Sequence, residues 1–598
     1  MQLQYKNKHL EASLVVFNVV LSAVVAASFV LLFGFEEPVL RKQVLYAVQV
    51  LLLCAFIGEK MARLLNVFSL REFLRANWYE APLLLALCVV VLGAGRWFAT
   101  ANLDASGVRH LAVGIYLVIQ VVAKLCRSCV RLAATGRNPT QTLIASFLVL
   151  IVCGAGLLML PRASAKPDEH LGFVDALFTA TSATCVTGLI VKDTGSEFSL
   201  MGQVVILSLI QLGGLGIVVF GAVFALLLGQ ALSVRESVAM QDLLSARTLS
   251  RIGKIIAFIF IATIAIEAVG AAGLSGMWGN IPKEVRGMRP LWFYSVFHSI
   301  SAFCNAGFSL FRESFEGYDR SWQVYAVVCP LIILGGLGFS VLYDLTNIAS
   351  DRVTRFVKKR LNKECQLSMG APKRMLLQTK IVLSVSAFLI IAGAAAIVLF
   401  ERYAVGSDAT GELDVLGALF QSVTARTAGF NTVDIAGMSA SSRLVLILLM
   451  FVGGSPGSTA GGIKTVTLAV VVMTTIATLR KRGEVEMFRR SVRLVIVGRA
   501  ITVTILFVVV LFAGTLVLSV TENSNGFGMS KIMFEASSAL GTVGLTTGIT
   551  QSLTSAGKLV IIILMLVGRL GPLTLLAALT FDLKPVRYNY PDEAIVVG

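Results

Sequence analysis

Long apolar runs, separated by short polar connections, fill the chain from residue 14 to residue 580. About twelve of these runs reach the roughly 18 residues that a helix needs to cross the hydrocarbon core of a bilayer. The segments between them are too short for a soluble domain of any size. The pattern therefore predicts an all-α, polytopic membrane protein. The predicted spans are 14–34, 43–58, 82–99, 110–130, 140–160, 201–229, 252–275, 321–347, 375–400, 441–479, 500–520 and 556–580.

Four shorter apolar segments interrupt this series. Each ends in a polar turn that contains a glycine followed by a large apolar residue. We predict half-helices of about 10 residues here, which are too short to cross the membrane. The segments read DALFTATSATCVTGL at 175–189, FYSVFHSISAFCNAGF at 293–308, LGALFQSVTARTAGF at 416–430 and IMFEASSALGTVGL at 532–545.

The spacing within these segments repeats, which identifies them as copies of one unit. In the first, second and fourth segments a Phe stands ten residues before the turn glycine and a Ser stands six before it, whereas in the third Phe420 stands nine before Gly429. A second glycine motif follows each turn after 24 to 28 residues, at Gly213, Gly335, Gly453 and Gly568. Each unit thus consists of a span, a half-helix, a turn and a second span. The predicted units are 140–229, 252–347, 375–479 and 500–598, preceded by an extra module of about four spans at 1–139.

The four turns suit the binding of a dehydrated cation. Irregular backbone at membrane depth is tolerated where it lines a water-filled cavity or is buried in protein, so four units around one axis would form a pore. Rings of backbone carbonyls in re-entrant loops can replace the hydration shell of potassium, and glycine turns such carbonyls inward more easily than other residues. Simple bends or helix packing are the alternative explanation for the glycines. The predicted ion-coordinating residues are Val186, Thr187, Gly188, Asn305, Ala306, Gly307, Thr427, Ala428, Gly429, Thr542, Val543 and Gly544.

Composition and charge agree with a membrane protein. Of the 598 residues, 56% are hydrophobic and 14% charged, with a mean hydropathy of +0.83, whereas globular proteins carry about a quarter charged residues. The net charge of +17 is concentrated in connections such as 352–374 and 480–493. Because Lys and Arg stay on the cytoplasmic side, these connections and both termini are expected to be cytoplasmic. We expect no nucleic-acid partner.

The second span of the third unit is interrupted by GGSPGSTAGGIKT at 453–465. Its end resembles the phosphate-binding motif G-x-x-x-x-G-K-[ST], so a membrane ATPase is an alternative function. However, the lysine is displaced by one residue, and no soluble strand precedes the motif. We therefore predict that the chain is not an enzyme.

Together, TSATCVTGL, SAFCNAGF, TARTAGFNT, SSALGTVGL and GGSPGSTAGGIKT resemble the Trk/Ktr/HKT superfamily of potassium transporters over roughly residues 140–598. The resemblance implies that the four turn glycines belong to an ion selectivity filter, in the version associated with potassium over sodium. It also implies a homodimer with one pore per protomer and a cytoplasmic ring of nucleotide-binding regulatory subunits. The chain has no G-x-G-x-x-G after a strand, so nucleotide would bind only to that partner. Whether sodium also binds or is coupled stays open.

The resemblance further implies that the glycine-rich interruption is an intramembrane gate below Gly429. The predicted gate residues are Gly453, Gly454, Gly457, Ser458, Thr459, Gly461, Gly462 and Lys464, with Ser455 also facing water. Arg569 replaces a motif glycine in the fourth unit and is predicted to repel potassium below the filter. A salt bridge between units is the alternative role for this arginine.

Several other charges have structural explanations. Arg426 and Glu535 are predicted to pair behind the filter and to brace adjacent units. Asp175 and Asp414 stand at the start of half-helices, where caps or dipole partners are expected. Glu267 is an intramembrane acid to which the sequence assigns no partner.

The extra N-terminal module has basic residues close to one helical face at Lys124, Arg127 and Arg131. Anchoring at the cytoplasmic end of a span explains them, and a voltage sensor is the alternative. Cys126 and Cys129 lack the further ligands of a zinc site.

Overall fold

A computed structural model describes residues 6–35, 40–69, 80–97, 109–110, 112–117, 120, 139–166, 171–216, 252–280, 289–361, 372–403 and 413–579. The basic residues at 124–131 and the C-terminal residues 580–598 lie outside these ranges. The described chain is mostly helical. Five helices are long and apolar enough to cross a membrane, and a sixth is formed if a bent pair counts as one span.

The N-terminal module contains α1 (Lys8–Phe33), α2 (Lys42–Asn66) and α3 (Glu80–Trp97). These helices correspond to the first three predicted spans, and of the fourth span, 110–130, the structure describes a helical part at 112–117. Leu21, Phe56 and Leu117 belong to a buried cluster that holds these helices together. Inside the module, the buried Glu59 carboxylate accepts a hydrogen bond from Asn18 Nδ2 at 2.8 Å and pairs with Arg63 at 2.5 Å. The module therefore has its own core.

The described part of the chain from residue 139 onward is also mostly helical, and the predicted unit boundaries serve only to group its helices. In chain order its helices are α4 (Pro139–Leu158), α5 (Phe173–Thr184), α6 (Leu200–Leu215), α7 (Ile252–Leu274), α8 (Leu291–Phe303), α9 (Cys329–Leu337), α10 (Phe339–Leu361), α11 (Leu377–Arg402), α12 (Val415–Thr424), α13 (Ala440–Phe451), α14 (Thr465–Leu479), α15 (Leu494–Thr521), α16 (Met529–Gly541), α17 (Ser555–Leu570) and α18 (Pro572–Leu579). The half-helices α5, α8, α12 and α16 contain 12, 13, 10 and 13 residues.

Local sequence explains how these helices begin. Asp414 caps the half-helix α12 by accepting a hydrogen bond from the Val415 amide at 2.7 Å, as expected. Asp175 lies in the first turn of α5 and pairs with Lys558 of α17 at 2.7 Å. In three units the helix after the turn begins with a hydroxyl cap that accepts from an amide three residues later, at Ser199, Ser439 and Thr554.

Packing follows a cyclic order. Each half-helix packs against the helices on either side of it in its own unit, and also against the second helix of the preceding unit. Thus α8 packs against α6, α12 against α9, and α16 against α13. The half-helix α5 packs against α17 of the fourth unit, which closes the cycle.

The second helix is broken in the second, third and fourth units, although we predicted an interruption only in the third, and in the first unit it ends at the last residue described before 252. The helices α6, α9 and α17 end at Gly216, Gly338 and Gly571, which have φ angles of +81°, +87° and +85°. Left-handed backbone at glycine ends an α-helix at little cost because glycine has no Cβ. At Gly338 the chain bends by 104° between the α9 and α10 segments. In the third unit the break is the longer segment 452–464 between α13 and α14.

One element departs from the predicted all-α class. The strands β1 (Val485–Met487) and β2 (Arg490–Val492) form an antiparallel ribbon in the basic connection between α14 and α15. Phe488 and Arg489 have φ angles of +49° and +62°, the conformation of a tight two-residue hairpin turn. The ribbon escaped prediction because its strands have three residues each, too few for a periodic pattern.

Candidate functional site: the four turns and the glycine loop

The half-helices end where the four turns begin. Since the carboxyl end of a helix carries a partial negative charge, four such ends produce a region that favours cations. The turn residues are almost completely buried, with Thr187, Ala306, Ala428 and Val543 at 0% exposure. The predicted residues thus lie together in the interior of the protein.

The backbone of all four turns has the same unusual conformation. The residue two positions before each turn glycine has a positive φ: Val186 at 57°, Asn305 at 59°, Thr427 at 82° and Thr542 at 51°. The turn glycines are also positive, from 69° to 94°, whereas the residue between them is not. A positive φ in a β-branched residue is a strained conformation that the surrounding structure must maintain, and such strain is typical of functional sites.

The four turn glycines contact one another in a closed cycle. A Cβ placed on Gly188 would lie 3.0 Å from the Cα of Gly307, and one placed on Gly307 would lie 3.0 Å from the Cα of Gly429. The same position on Gly429 lies 3.1 Å from Gly544, and that on Gly544 lies 3.0 Å from Gly188. Side chains have no room at these four positions, so the sequence requirement for glycine has a direct steric reason.

The serines in the repeated segments support the turns. In the first and fourth units the glycine amide donates to a serine hydroxyl, from Gly188 to Ser182 and from Gly544 to Ser538, both at 3.1 Å. In the second unit the hydroxyl of Ser301 instead donates to the carbonyl of Phe308 at 2.8 Å. In the third unit the half-helix is one residue closer to the turn glycine, and the Gly429 amide donates to the backbone carbonyl of Thr424 instead.

The segment Gly453–Lys464, which we call the glycine loop, is docked rather than extended. The Ser455 amide donates to the Gly336 carbonyl at 2.9 Å, and the Ser455 hydroxyl donates to the Leu337 carbonyl. In return, the Phe339 amide donates to the Gly457 carbonyl at 3.0 Å. The loop therefore attaches to the break in the second unit. Of its residues Gly457 alone is exposed, and the cation of Lys464 donates to carbonyls of the loop itself.

Arg569 fastens the other side of the glycine loop. Its Nη1 donates to the Thr459 carbonyl, and its Nη2 donates to the carbonyls of Gly213 and, at 3.4 Å, Gly214. These partners are carbonyls rather than a carboxylate, so the alternative of a salt bridge is not what the described residues form. One half-buried guanidinium connects the first, third and fourth units.

The predicted pairing of Arg426 with Glu535 is wrong. Arg426 donates to the Ser386 hydroxyl at 3.2 Å and to the Gly453 carbonyl at 3.3 Å, within its own unit. Glu535 accepts hydrogen bonds from hydroxyl and amide groups in the segment after its own turn. Each of the two side chains thus has partners within its own unit, and Arg426 braces the start of the glycine loop.

Glu267 has a partner that the sequence did not reveal. Gln211 of α6 donates to its carboxylate at 3.3 Å, and Ser299 of the half-helix α8 donates to its backbone carbonyl at 2.7 Å. The thiol of Cys304, directly before the second turn, lies 3.6 Å from the side-chain oxygen Oε1 of Gln211. These contacts join the first and second units. Gln211 and Glu267, in two largely apolar helices, were the only signal in the sequence.

A polar cavity lies beside the segments that follow the first, second and fourth turns. This cavity of about 460 Å³ is lined by Asp175, Lys192, Asp193, Glu197, Arg312 and Lys558, among others. Nearby in the sequence, Glu316 accepts a hydrogen bond from Asn431 Nδ2 at 2.7 Å. Partial burial, followed by the charges of Asp434 and Glu313, raises the pKa of Glu316 to about 6. The sequence analysis did not single out this acidic group.

Known proteins are similar to most of this chain. It is 37% identical over 465 residues to the Ktr system potassium uptake protein B of Bacillus subtilis, covering 77% of this chain and 97% of that protein. It is 36% identical to the potassium/sodium uptake protein NtpJ of Enterococcus hirae, again with 77% and 97% covered. The matches cover almost all of these relatives, and about a quarter of this chain lies outside them.

The fold has a counterpart among solved structures. The potassium transporter TrkH of Vibrio parahaemolyticus matches 85% of this chain and 98% of its own with a TM-score of 0.54, at 19% sequence identity. The model of the TrkH family, described as cation transport protein, matches residues 111–584. The superfamily resemblance is therefore confirmed, and the function class is membrane cation transport rather than catalysis. This multi-pass membrane protein belongs to the TrkH family of cation transport proteins.

Proposed function

We propose that the protein takes up potassium across the cytoplasmic membrane through a filter formed by the carbonyls of the four turns. The observation that carries the proposal is the closed cycle of turn glycines with the same strained backbone in every turn. In this proposal the four units are arranged with pseudo-fourfold symmetry around one pore. The membrane potential drives uptake, contributing about 2.3 kcal/mol per charge per 100 mV.

The glycine loop acts as the gate on the cytoplasmic side of the filter. Its support comes from its glycines, which permit rearrangement, and from its attachment by hydrogen bonds to the break in the second unit and to Arg569, which a rearrangement can exchange. Movement of the loop away from these partners would open the path below Gly429. Arg569 adds a positive charge that opposes passage of potassium while the gate is closed.

A regulatory partner and a second copy complete the transporter. The relatives are named as protein B of a Ktr system, which indicates further components in those systems. We propose a homodimer and a cytoplasmic ring of nucleotide-binding subunits, with nucleotide bound only by the ring. The basic connections and both termini face this ring.

Ion flux into vesicles tests the proposed function. Purified protein in lipid vesicles is expected to carry rubidium, a potassium substitute, at least about tenfold faster than sodium, because carbonyl rings replace the hydration shell of the larger ion. The same vesicles without protein provide the background. Equal flux of rubidium and sodium would contradict the potassium filter and favour a less selective cation transporter. The name of the E. hirae relative makes that outcome the main rival.

The raised pKa of Glu316 predicts a pH dependence of uptake, because Glu316 lies in the segment after the second turn, which we place at the outer end of the proposed pore. This carboxyl is ionised above about pH 6 and neutral below it, so acidification removes one negative charge from the group containing Glu313 and Asp434. At a separation of about 10 Å in water, one charge contributes about 0.4 kcal/mol, or about twofold in apparent affinity. The half-saturating potassium concentration is expected to rise about twofold from about pH 7 to about pH 5. Glu316→Gln should abolish this change, and an unaltered pH profile in that variant would contradict the role of Glu316.

A further inference from the structure

A polar residue is buried at the same position in all four half-helices. Thr179, His298 and Glu535 stand nine residues before their turn glycines, and Gln421 stands eight before Gly429 in the tighter third unit. All four side chains are 0 to 1% exposed. Buried polar groups normally have hydrogen-bond partners, so the partners indicate what each residue does.

In the fourth unit, Glu535 holds the chain that leaves the turn. Its Oε1 accepts from the Thr546 hydroxyl, two residues after Gly544, and from the Thr547 amide, three residues after it, at 3.1 Å. Its Oε2 accepts from the Thr550 hydroxyl at 2.9 Å. The carboxylate thus attaches the segment that follows the turn to the half-helix.

In the second unit, His298 makes the equivalent contacts. Its Nδ1 lies 2.8 Å from the Tyr294 carbonyl, which can only accept, so Nδ1 carries the proton and Nε2 is an acceptor. That Nε2 lies 3.1 Å from the hydroxyl of Ser309 and accepts from the amide of Leu310 at 3.3 Å. These partners are again two and three residues after the turn glycine. Two chemically different side chains therefore offer one acceptor atom to the same two donors.

The other two units lack this arrangement. The Thr179 hydroxyl donates back to the Asp175 carbonyl at 2.9 Å, and position 190, two residues after Gly188, is an isoleucine. The side-chain amide of Gln421 makes no hydrogen bond among the described residues. Asn431, two residues after Gly429, is instead held by the second unit. Its backbone carbonyl accepts from the Phe315 amide at 2.9 Å, and its Nδ2 donates to Glu316. The His298 and Glu535 contacts thus occur in units that alternate around the cycle.

We propose that His298 and Glu535 are positioning residues that determine ion selectivity by fixing the second and fourth turns from outside. This inference rests on the proposed filter. Within these turns, the amides of Ala306 and Val543 donate to the carbonyls of Ser301 and Ser538, at 2.7 and 2.8 Å. On the outer side, the acceptor at 298 or 535 is the matching attachment. Strained left-handed residues keep their conformation only while such surroundings hold them.

Variants that keep the side-chain volume but lose the acceptor test the proposal. His298→Phe and Glu535→Leu are each expected to raise sodium flux relative to rubidium flux about fivefold in vesicles, because the segment after the turn loses hydrogen bonds at a buried site. Glu535→Gln keeps an acceptor oxygen and should change the ratio less than about twofold. Thr179→Val is the matched control at the equivalent position, and its ratio should equal that of the unmodified protein.

A second pair of variants approaches the same bonds from the donor side. Ser309→Ala and Thr546→Val remove small hydroxyls, so they remain informative even if His298→Phe or Glu535→Leu fails to fold. Each should raise the ratio of sodium flux to rubidium flux about twofold, because the hydrogen bond donated by the backbone amide of Leu310 or Thr547 remains. Unchanged ratios in folded loss variants and in both donor variants would overturn the inference. If the unmodified protein itself carries both ions equally, the proposed function fails instead.

Discussion

Alanine at Gly429 is expected to reduce potassium uptake by about tenfold or more, the effect of about 1.4 kcal/mol on a barrier. The added Cβ would lie 3.1 Å from the Cα of Gly544 and 3.2 Å from that of Gly307, and it would overlap the Val543 carbonyl. Since all these neighbours are backbone atoms, the whole ring must shift. Rubidium uptake into vesicles, with sodium flux measured in parallel, records both the loss of rate and the loss of preference.

Gly276→Ala separates this steric effect from backbone strain. Gly276 has a φ of +92°, comparable to the +82° of Gly429, but nothing lies within 4 Å of its Cβ position. Both variants carry a strained alanine, which costs about 1–2 kcal/mol, so both should unfold more easily. Only Gly429→Ala should alter transport. A similar loss of uptake in both would mean that reduced stability, rather than the ring, explains the effect.

Replacing Arg569 by glutamine is expected to increase potassium flux by about tenfold. The guanidinium donates to the Thr459 carbonyl in the glycine loop and to the Gly213 carbonyl in the first unit. Hydrogen bonds from a charged group contribute about 1.5–3 kcal/mol each, so loss of the loop attachment should favour the released loop by at least a factor of ten. Faster hydrogen exchange in the peptide containing 455–463 should accompany the higher flux.

Lys558→Gln is the matched control for Arg569→Gln. Lys558 also joins the fourth unit to the first, by its ion pair with Asp175 at 2.7 Å, but it lies at the opposite end of α17 from Arg569. The control removes a contact between the same units without touching the glycine loop, and because Lys558 also lines the polar cavity, the two variants are compared at saturating potassium. Equal flux in Arg569→Gln and the unmodified protein would show that the loop does not limit transport.

The half-helices and turns could be predicted because the sequence repeats them. Three copies with Phe and Ser at fixed distances from glycine, and a further copy that is one residue tighter, indicate both the element and its position in each unit. The local backbone also follows from short-range sequence, as at Asp414, where an N-cap residue begins the half-helix. These features depend on neighbours within about ten residues.

Contacts between distant segments could not be predicted in the same way. Arg426 and Glu535 have opposite charges, but the arginine donates to Ser386 and the Gly453 carbonyl, and threonines donate to the carboxylate. The role of Gln211 beside Glu267 likewise depends on how α6 packs against α7 and α8. One sequence alone does not determine which of several polar groups will be nearest.

Arg569 holds the glycine loop and α6 at the same time, so the attachment of the loop depends on the relative positions of α6 and α17. A planar guanidinium can reach Thr459 and Gly213 together only while α6 and α17 keep their relative placement. Hydrogen bonds weaken steeply over less than about 1 Å of added distance. A small sliding of one helix past the other would therefore break one of these two attachments and, under the proposed role of the glycine loop as a gate, would favour its release.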